Sequence, residues 1–481
     1  MELIYDIVRK LKRQEIRQVR QLITHTAFEY DKMGKLFDLV TRYEQQDEAF
    51  YSQKIYGKDP DNIFRVTKSR LKRMLENVLL NDKSLNSYPK PISARLQIRK
   101  KILQAEILLG RGAYLAGKNL LQQVIAQARR HDLNDELFQA EMLLSRTQSV
   151  RLSVREYEQH TQRLLELNRL RASIQEATIL YYSISNLLGN QSLKPREQEE
   201  VRQSIDRMAA ICEETQHPPI RHLYYLAEIY YHQVAHTYEQ ALAFCESYLD
   251  LLKREPELRT QQRLAAAYGQ LAQVHLNLQQ LEEARRYANL ALKTFSPEEM
   301  NYLRGLELMF VIDFHAEALE QAEAHVSVAM AHPEFQASRM LTARWHYFRA
   351  CLLFKQGAFQ EAYLALNDTT PLLSDKYGLN LNIRLLEIML LYELEHLDML
   401  ETKILNMRQF VKRTQKAEAL SRPRALIRLL STWHKHAYDR AQTLEDAQEE
   451  LRILQARHHG QPGVDLIRLD TWLQKRGGHG T

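Results

Sequence analysis

Proline and glycine are scarce in this chain, with 12 and 15 residues among 481, so the commonest interrupters of helix are rare. Long apolar runs are missing, and nothing approaches the roughly 18 consecutive apolar residues of a membrane span. Cysteine is nearly absent. Cys212, Cys245 and Cys351 lie far apart without paired spacing, which argues against a disulfide framework and for reduced thiols in a cytoplasmic setting. The opening MELIYDIVRKLKRQ places acids before its bases and has no long apolar stretch, so a signal peptide is not expected. A phosphate-cradling glycine loop, a dinucleotide fingerprint, a nucleophile elbow and a zinc-protease helix are all missing. The chain is therefore expected to be no enzyme, with no cofactor and no catalytic residue.

What is present is helix-forming residue upon helix-forming residue: Leu, Ala, Glu, Gln and Arg dominate. An all-α fold is expected. The net charge of +6 conceals an asymmetry. Residues 1–130 hold 26 Lys/Arg against 14 Asp/Glu, and residues 131–481 hold 40 against 46. A basic first part and a mildly acidic body suggest different partners, or contact between the two regions.

Residues 1–90 read as a separate three-helix module. One apolar stripe runs from Leu3 through Ile7, Leu11, Val19 and Ile23, and a second from Met33 to Phe50. Tyr56–Asn62 (YGKDPDN) breaks the pattern, and a third helix carries Phe64, Leu71, Leu75 and Leu79 inward. Asn81–Pro91 is the candidate linker, polar and closed by two prolines.

From Ile92 the pattern repeats. Residues 263–297 form two helical segments across a short polar turn, with small residues at Ala272, Ala284, Ala288 and Ala291. In 343–374, Ala350 sits where Ala272 does, followed by Gly357 and Ala362. In 220–253, Ala241 matches Ala284, and in 98–128 Gly117 takes the same place. These residues carry a resemblance to the tetratricopeptide repeat family, whose unit is about 34 residues. The match is good over 264–297, including Pro297, and moderate over 343–374; between 130 and 215 the small-residue register is lost. The resemblance implies a right-handed α-solenoid over 92–420, roughly nine helix pairs by the repeat length. Small residues let neighbouring helices approach closely.

Residues 421–476 are expected to cap the solenoid. Arg424 to about His458 reads as one long helix or a hairpin, GQPG (460–463) stops it, and Val464–Arg476 forms a last amphipathic helix. Leu466, Ile467, Leu469, Trp472 and Leu473 would cover the open end.

Three constellations invite a chemical reading. Glu228, His232 and His236 follow an i, i+4, i+8 spacing, but one metal cannot reach residues eight apart on a straight helix, so a polar stripe is expected and no metal. Arg13, Arg17, Arg65, Lys68, Lys72 and Arg73 make the first module basic, with a short basic last helix compatible with helix-turn-helix docking to DNA or RNA. A solvated face, or a docking surface for the acidic body, is the simpler account. The family's groove positions, carried onto the two best repeats, fall at Gln273 and Asn277, and at Arg344, Tyr347 and Lys355. The family's clamp for a peptide carboxylate is not reproduced. The favoured expectation is an adaptor that binds a protein or peptide along the concave face. The alternatives are a nucleic-acid regulator acting through residues 1–90, and a structural protein whose repeats build a homo-oligomer.

Overall fold

The computed structural model describes residues 1–25, 30–81, 85–86, 88, 90–148, 154–188, 195–297, 300–333, 335, 339–367, 378–413, 421–455 and 465–475. Among the described residues there is no strand, and no helix is long and apolar enough to cross a membrane. The chain divides into two compact units, Met1–Ala172 and Ser173–Thr481.

The first unit opens with five helices where three were expected: α1 (Glu2–Lys10), α2 (Arg13–His25), α3 (Tyr30–Arg42), α4 (Glu48–Tyr56) and α5 (Asn62–Leu79). The expected first helix breaks at Leu11, whose ψ of 137° is extended. There the buried Glu15 carboxylate accepts from the Lys12 N–H at 2.6 Å, giving α2 its own cap. Asp47 likewise starts α4 by accepting from the Phe50 N–H at 2.8 Å. Most of the predicted stripe is buried in one core, including Val8, Val19, Phe37, Phe64 and Leu71. Leu3 and Leu79 face out instead. A second core, between Ile98 and Leu144, joins α6 (Lys90–Gly110), α7 (Tyr114–Arg130) and α8 (Asn134–Gln148).

The division between units falls inside α9 (Val154–Leu188), 35 residues without a proline or glycine to end it. The second unit continues with α10 (Pro195–Thr215) and then six pairs. These are α11 (Pro218–Val234) with α12 (Tyr238–Arg254), α13 (Gln261–Asn277) with α14 (Leu281–Leu292), and α15 (Met300–His315) with α16 (Leu319–Met330). Next come α17 (Arg339–Lys355) with α18 (Phe359–Asn367), α19 (Leu379–Glu393) with α20 (Leu397–Arg413), and α21 (Ser421–Lys435) with the short α22 (Arg440–Asp446). Then α23 (Gln448–Gln455) and α24 (Leu469–Gln474) close the described chain. Each helix from α10 to α22 packs on the next, and first helices also meet, α13 with α15 and α17 with α19. That is an all-α solenoid, in which stacking buries faces that one pair leaves open.

The geometry repeats more faithfully than the sequence does. All six first helices end on the same turn, with positive φ two residues past the helix: His236, Gln279, Glu317, Gly357, Glu395 and Ala437. The next N–H returns to the carbonyl five residues back, as Gln280 to His275 at 2.9 Å and Ala358 to Leu353 at 3.0 Å. This closure satisfies carbonyls the helix end would otherwise orphan. Gly357 is the one glycine among the six, so the sequence signal of the turn is mostly gone while its shape remains. The fourth residue of each second helix is buried against the first: Ala241, Ala284, Ala322 and Ala362, then Leu400 and Thr443. In the first unit Gly117 holds this place, where a Cβ would meet Leu109 Cδ2 at 2.7 Å.

The pair α15–α16 escaped the sequence comparison because Phe310 stands where Ala272 and Ala350 stand. Phe310 is accommodated by stacking on Phe348, with ring centroids 4.5 Å apart and planes within 12°. Of the two readings open for the stretch from Arg424, one long helix or a hairpin, the described residues form the hairpin, since Trp433 and Tyr438 close a turn through the Tyr438 N–H. The stop expected at 460–463, the repeat end at 368–374 and the tail after Lys475 lie outside the described residues. The last helix is shorter than Val464–Arg476, covering Leu469–Gln474.

A left-handed conformation costs a side-chain-bearing residue about 1–2 kcal/mol, partly offset by the chain entropy glycine loses on folding. Gln279→Gly is therefore expected to stabilise the second unit by about 0.5–1 kcal/mol, and Gly357→Ala to destabilise it. Thermal melts of the two variants beside the parent check both signs.

Candidate functional site

The five nominated groove residues share the face of the first helices but do not share one environment. Gln273 and Asn277 on α13 are half-buried, bonded to each other at 3.5 Å. Nearby, Gln233 of α11 donates to Gln270 of α13 at 2.7 Å, a polar tie between successive first helices. Arg344 on α17 is engaged by Glu307 of α15 at 3.0 Å. Lys355 donates to the Phe314 carbonyl at 3.3 Å, lies over the Phe314 ring at 4.6 Å and pairs with Glu317 at 3.4 Å. Arg344 and Lys355 thus stitch α17 to the pair before it. Tyr347 corrects its expected role: it is fully buried and cannot be an exposed anchor. Its hydroxyl, pushed well above the usual phenol range by burial, faces Cys351 and the Asp465–Leu466 segment.

That segment contributes to the burial and runs on to later helices. Leu466, Leu469, Trp472 and Leu473 belong to one core with α13 to α23. Trp472 reaches the first helices of the next two pairs, α19 and α21. Its ring meets Tyr392 at 5.5 Å and Trp433 at 5.4 Å, both edge-on at 88°. The Arg440 guanidinium lies 4.3 Å from its centroid. The indole N–H donates to Glu393 Oε1 at 2.7 Å, and Arg440 pairs with the same oxygen at 3.3 Å. Glu393 is the last residue of α19, as Lys355 is of α17. Carrying the Lys355 position from α17 to α19 lands on Glu393 but not on Tyr392, and the repeats are too degenerate there for the sequence to suggest it.

Buried ionisable groups elsewhere tie helices together. Glu228 accepts from the Tyr224 hydroxyl at 3.0 Å and lies 3.5 Å from His232 and 3.6 Å from Arg202. Burial pushes its carboxyl above the usual range, with Arg202 pulling the other way. His236 is not on the helix at all: α11 ends at Val234, and the His236 ring bonds the Tyr238 hydroxyl at 2.7 Å. Among the described residues no three His, Cys, Asp or Glu side chains are placed to share a metal ion. Asp313, 2 % exposed, is held by Arg285 at 2.7 Å and His325 at 2.9 Å. The three cysteines are buried free thiols, and burial raises Cys212 to about 11 and Cys245 to about 12, which leaves them poor nucleophiles at neutral pH.

In the first unit, Lys68 is taken up by Glu48, whose carboxyl it holds below the usual range, and Lys72 lies 3.6 Å from Glu76. Arg13, Arg17, Arg65 and Arg73 are exposed. Arg13 and Arg17 lie on α2, and Arg65 and Arg73 on α5. The expected short last helix is α5, at 18 residues the longest of the five. A separate cleft between α8 and the first part of α9 is lined by Leu137, His160, Leu164 and Leu167, with Arg129 and Glu141 paired at 2.7 Å beside it.

No protein-family model matches the chain, and no curated protein matches it. Among solved structures, it is similar to BtubC (BKLC) from P. vanneervenii at 11% identity, TM-score 0.38, over 46% of this chain and 93% of that one. It is also similar to yeast Tom70 at 10% identity, TM-score 0.36, over 85% of this chain and 93% of that one.

One half-buried ring makes a pH prediction. His222 packs against Tyr248 with centroids 5.3 Å apart, and its Nδ1 is buried without a hydrogen-bond partner among the described residues. Burial, assisted by Arg263, lowers its pKa to about 4, whereas the unfolded chain titrates near 6.5. The unfolded state therefore takes up a proton first as pH falls, so the stability carried by neutral His222 is lost between about 6.5 and 4. A His222→Phe variant should lose less of its melting temperature than the parent between pH 7 and pH 4.5. Equal losses would count against the assignment.

Proposed function

We propose that this chain is a non-enzymatic adaptor that holds a protein or peptide along the first-helix face of its tetratricopeptide-like solenoid. The observation that carries the reading is that this face already carries a separate piece of polypeptide, residues 465–475, against α17, α19 and α21. Where that segment does not reach, Gln273 and Asn277 of α13 sit half-buried, and Gln233 of α11 bonds Gln270 of α13, hydrogen-bonding groups suited to a peptide. On this reading residues 1–90 are an appended basic module, 92–420 the binding body and 421–476 its cap. A photo-crosslinking residue placed at Gln273 or Asn277 should give discrete protein adducts in cells, and one at the exposed Arg286 of α14 should not. Absence of adducts at all three positions, or the same adducts at each, would sink the reading.

A second reading is favoured by one observation: Arg13, Arg17, Arg65 and Arg73 are exposed and make no ion pair among the described residues. Such arginines suit the phosphates of DNA or RNA. Under this reading the full chain binds duplex DNA or RNA with an affinity that falls steeply with salt. Replacing all four arginines by alanine then lowers the log–log salt slope by up to about 3–4. Titrations of labelled duplexes from low to physiological salt decide it, and a salt-independent or absent signal removes nucleic acid from consideration.

A further inference from the structure

We propose that Tyr392, Glu393, Trp433 and Arg440 form a tryptophan-recognition pocket. Trp472 of the same chain fills it, and it is available to a protein partner that presents the same kind of segment. The proposal deepens the reading above and rests on it only in taking the first-helix face as the binding face.

Each wall of the pocket reads a different property of an indole. Tyr392 and Trp433 present their rings edge-on at 5.5 and 5.4 Å, and Arg440 covers the π face at 4.3 Å. Glu393 accepts the indole N–H at 2.7 Å, a bond that phenylalanine cannot make and that a tyrosine hydroxyl would have to make from elsewhere on its ring. The walls come from α19, α21 and the start of α22, so stacking of successive pairs shapes the pocket. It does not depend on Trp472 for its polar balance either. Arg440 is paired with Glu393 at 3.3 Å and lies 5.1 Å from the Tyr392 ring, so neither charge is stranded when the indole leaves.

The occupant has the character of a bound peptide. Asp465 to Arg468 is not helical, and α24 is a six-residue turn of helix, too short to persist in water without the surface beneath it. Its holdings are those of a ligand: Leu466, Leu469, Trp472 and Leu473 buried in the host core, and Arg440 donating to the Lys475 carbonyl at 3.3 Å. Asp470 is buried and engages Arg468 at 2.7 Å within the segment itself. The partner this surface fits is therefore a protein segment of the type Leu-Asp-x-Trp-Leu, as in residues 469–473. A tethered ligand competes at an effective concentration on the order of millimolar, so in the intact chain a free segment is held off until the tethered one is displaced.

The test uses the full chain with a protease site inserted between Gln455 and Asp465, and a fluorescent peptide with the sequence of residues 465–475. After cleavage, with the circular dichroism melt unchanged, fluorescence anisotropy should show the peptide exchanging into the protein. The uncut chain should bind it at least about tenfold more weakly. A peptide with alanine for tryptophan should lose about tenfold or more, as a buried tryptophan anchor does, and one with phenylalanine should fall between. Uncut Trp472→Ala protein should take up the parent peptide where the uncut parent protein does not. No uptake by cleaved, folded protein, or equal binding of parent and alanine peptides, overturns the proposal. Crosslinks at Gln273 probe a different part of the face, so this result and the failure of the adaptor reading can be told apart.

Discussion

Everything in the second unit hangs on how each first helix is closed. An α-helix ends with orphaned carbonyls, and here a residue in the left-handed region turns the chain so that the following N–H returns to a carbonyl five residues back. That turn sets the angle at which the second helix leaves. It brings the fourth residue of the second helix, Ala241, Ala284, Ala322 or Ala362, into the core against its partner. Close pairing of the two helices presents a continuous apolar surface to the next pair. The stack then positions the ends of the first helices, including Tyr392, Glu393 and Trp433, beside one another.

The same stacking explains why charged groups sit inside. Arg344 with Glu307, Arg285 with Asp313 and Lys355 with the Phe314 carbonyl each join one helix to a neighbour in the stack. A buried charge is tolerated when it is paired and hydrogen-bonded. These pairs fix the register of successive helices, and they also remove from the groove two of the cations that the sequence had offered to a ligand. The groove residues left half-buried on α13, Gln273 and Asn277, are themselves uncharged.

The sequence made the helical class plain, because scarce glycine and proline and a persistent helical period leave little alternative. It also identified the repeat where small residues marked the close contacts, at 263–297 and, with Gly357 at the turn, at 343–374. It lost the repeat where other residues met the same geometric demand. Phe310 replaces alanine by stacking on Phe348, and His236, Gln279, Glu317, Glu395 and Ala437 adopt the turn that only Gly357 announces. The five helices of residues 2–79 were read as three, because two breaks depend on carboxylate caps at Glu15 and Asp47 and not on glycine or proline.

The sequence by itself determined the local matter: which residues are helical, which face of each helix is apolar, and that the units repeat. Those properties depend on neighbours three or four positions away, and the chain carries them wherever it goes. Only the tertiary structure decided that Tyr347 is core, that Arg344 and Lys355 are spent on the preceding helices, and that Trp472 lies between Tyr392, Trp433 and Arg440. Those contacts join residues from 32 positions apart, as Trp472 is from Arg440, to 119, as Tyr347 is from Leu466, and no local period encodes which distant side chain will fill a pocket that stacking creates.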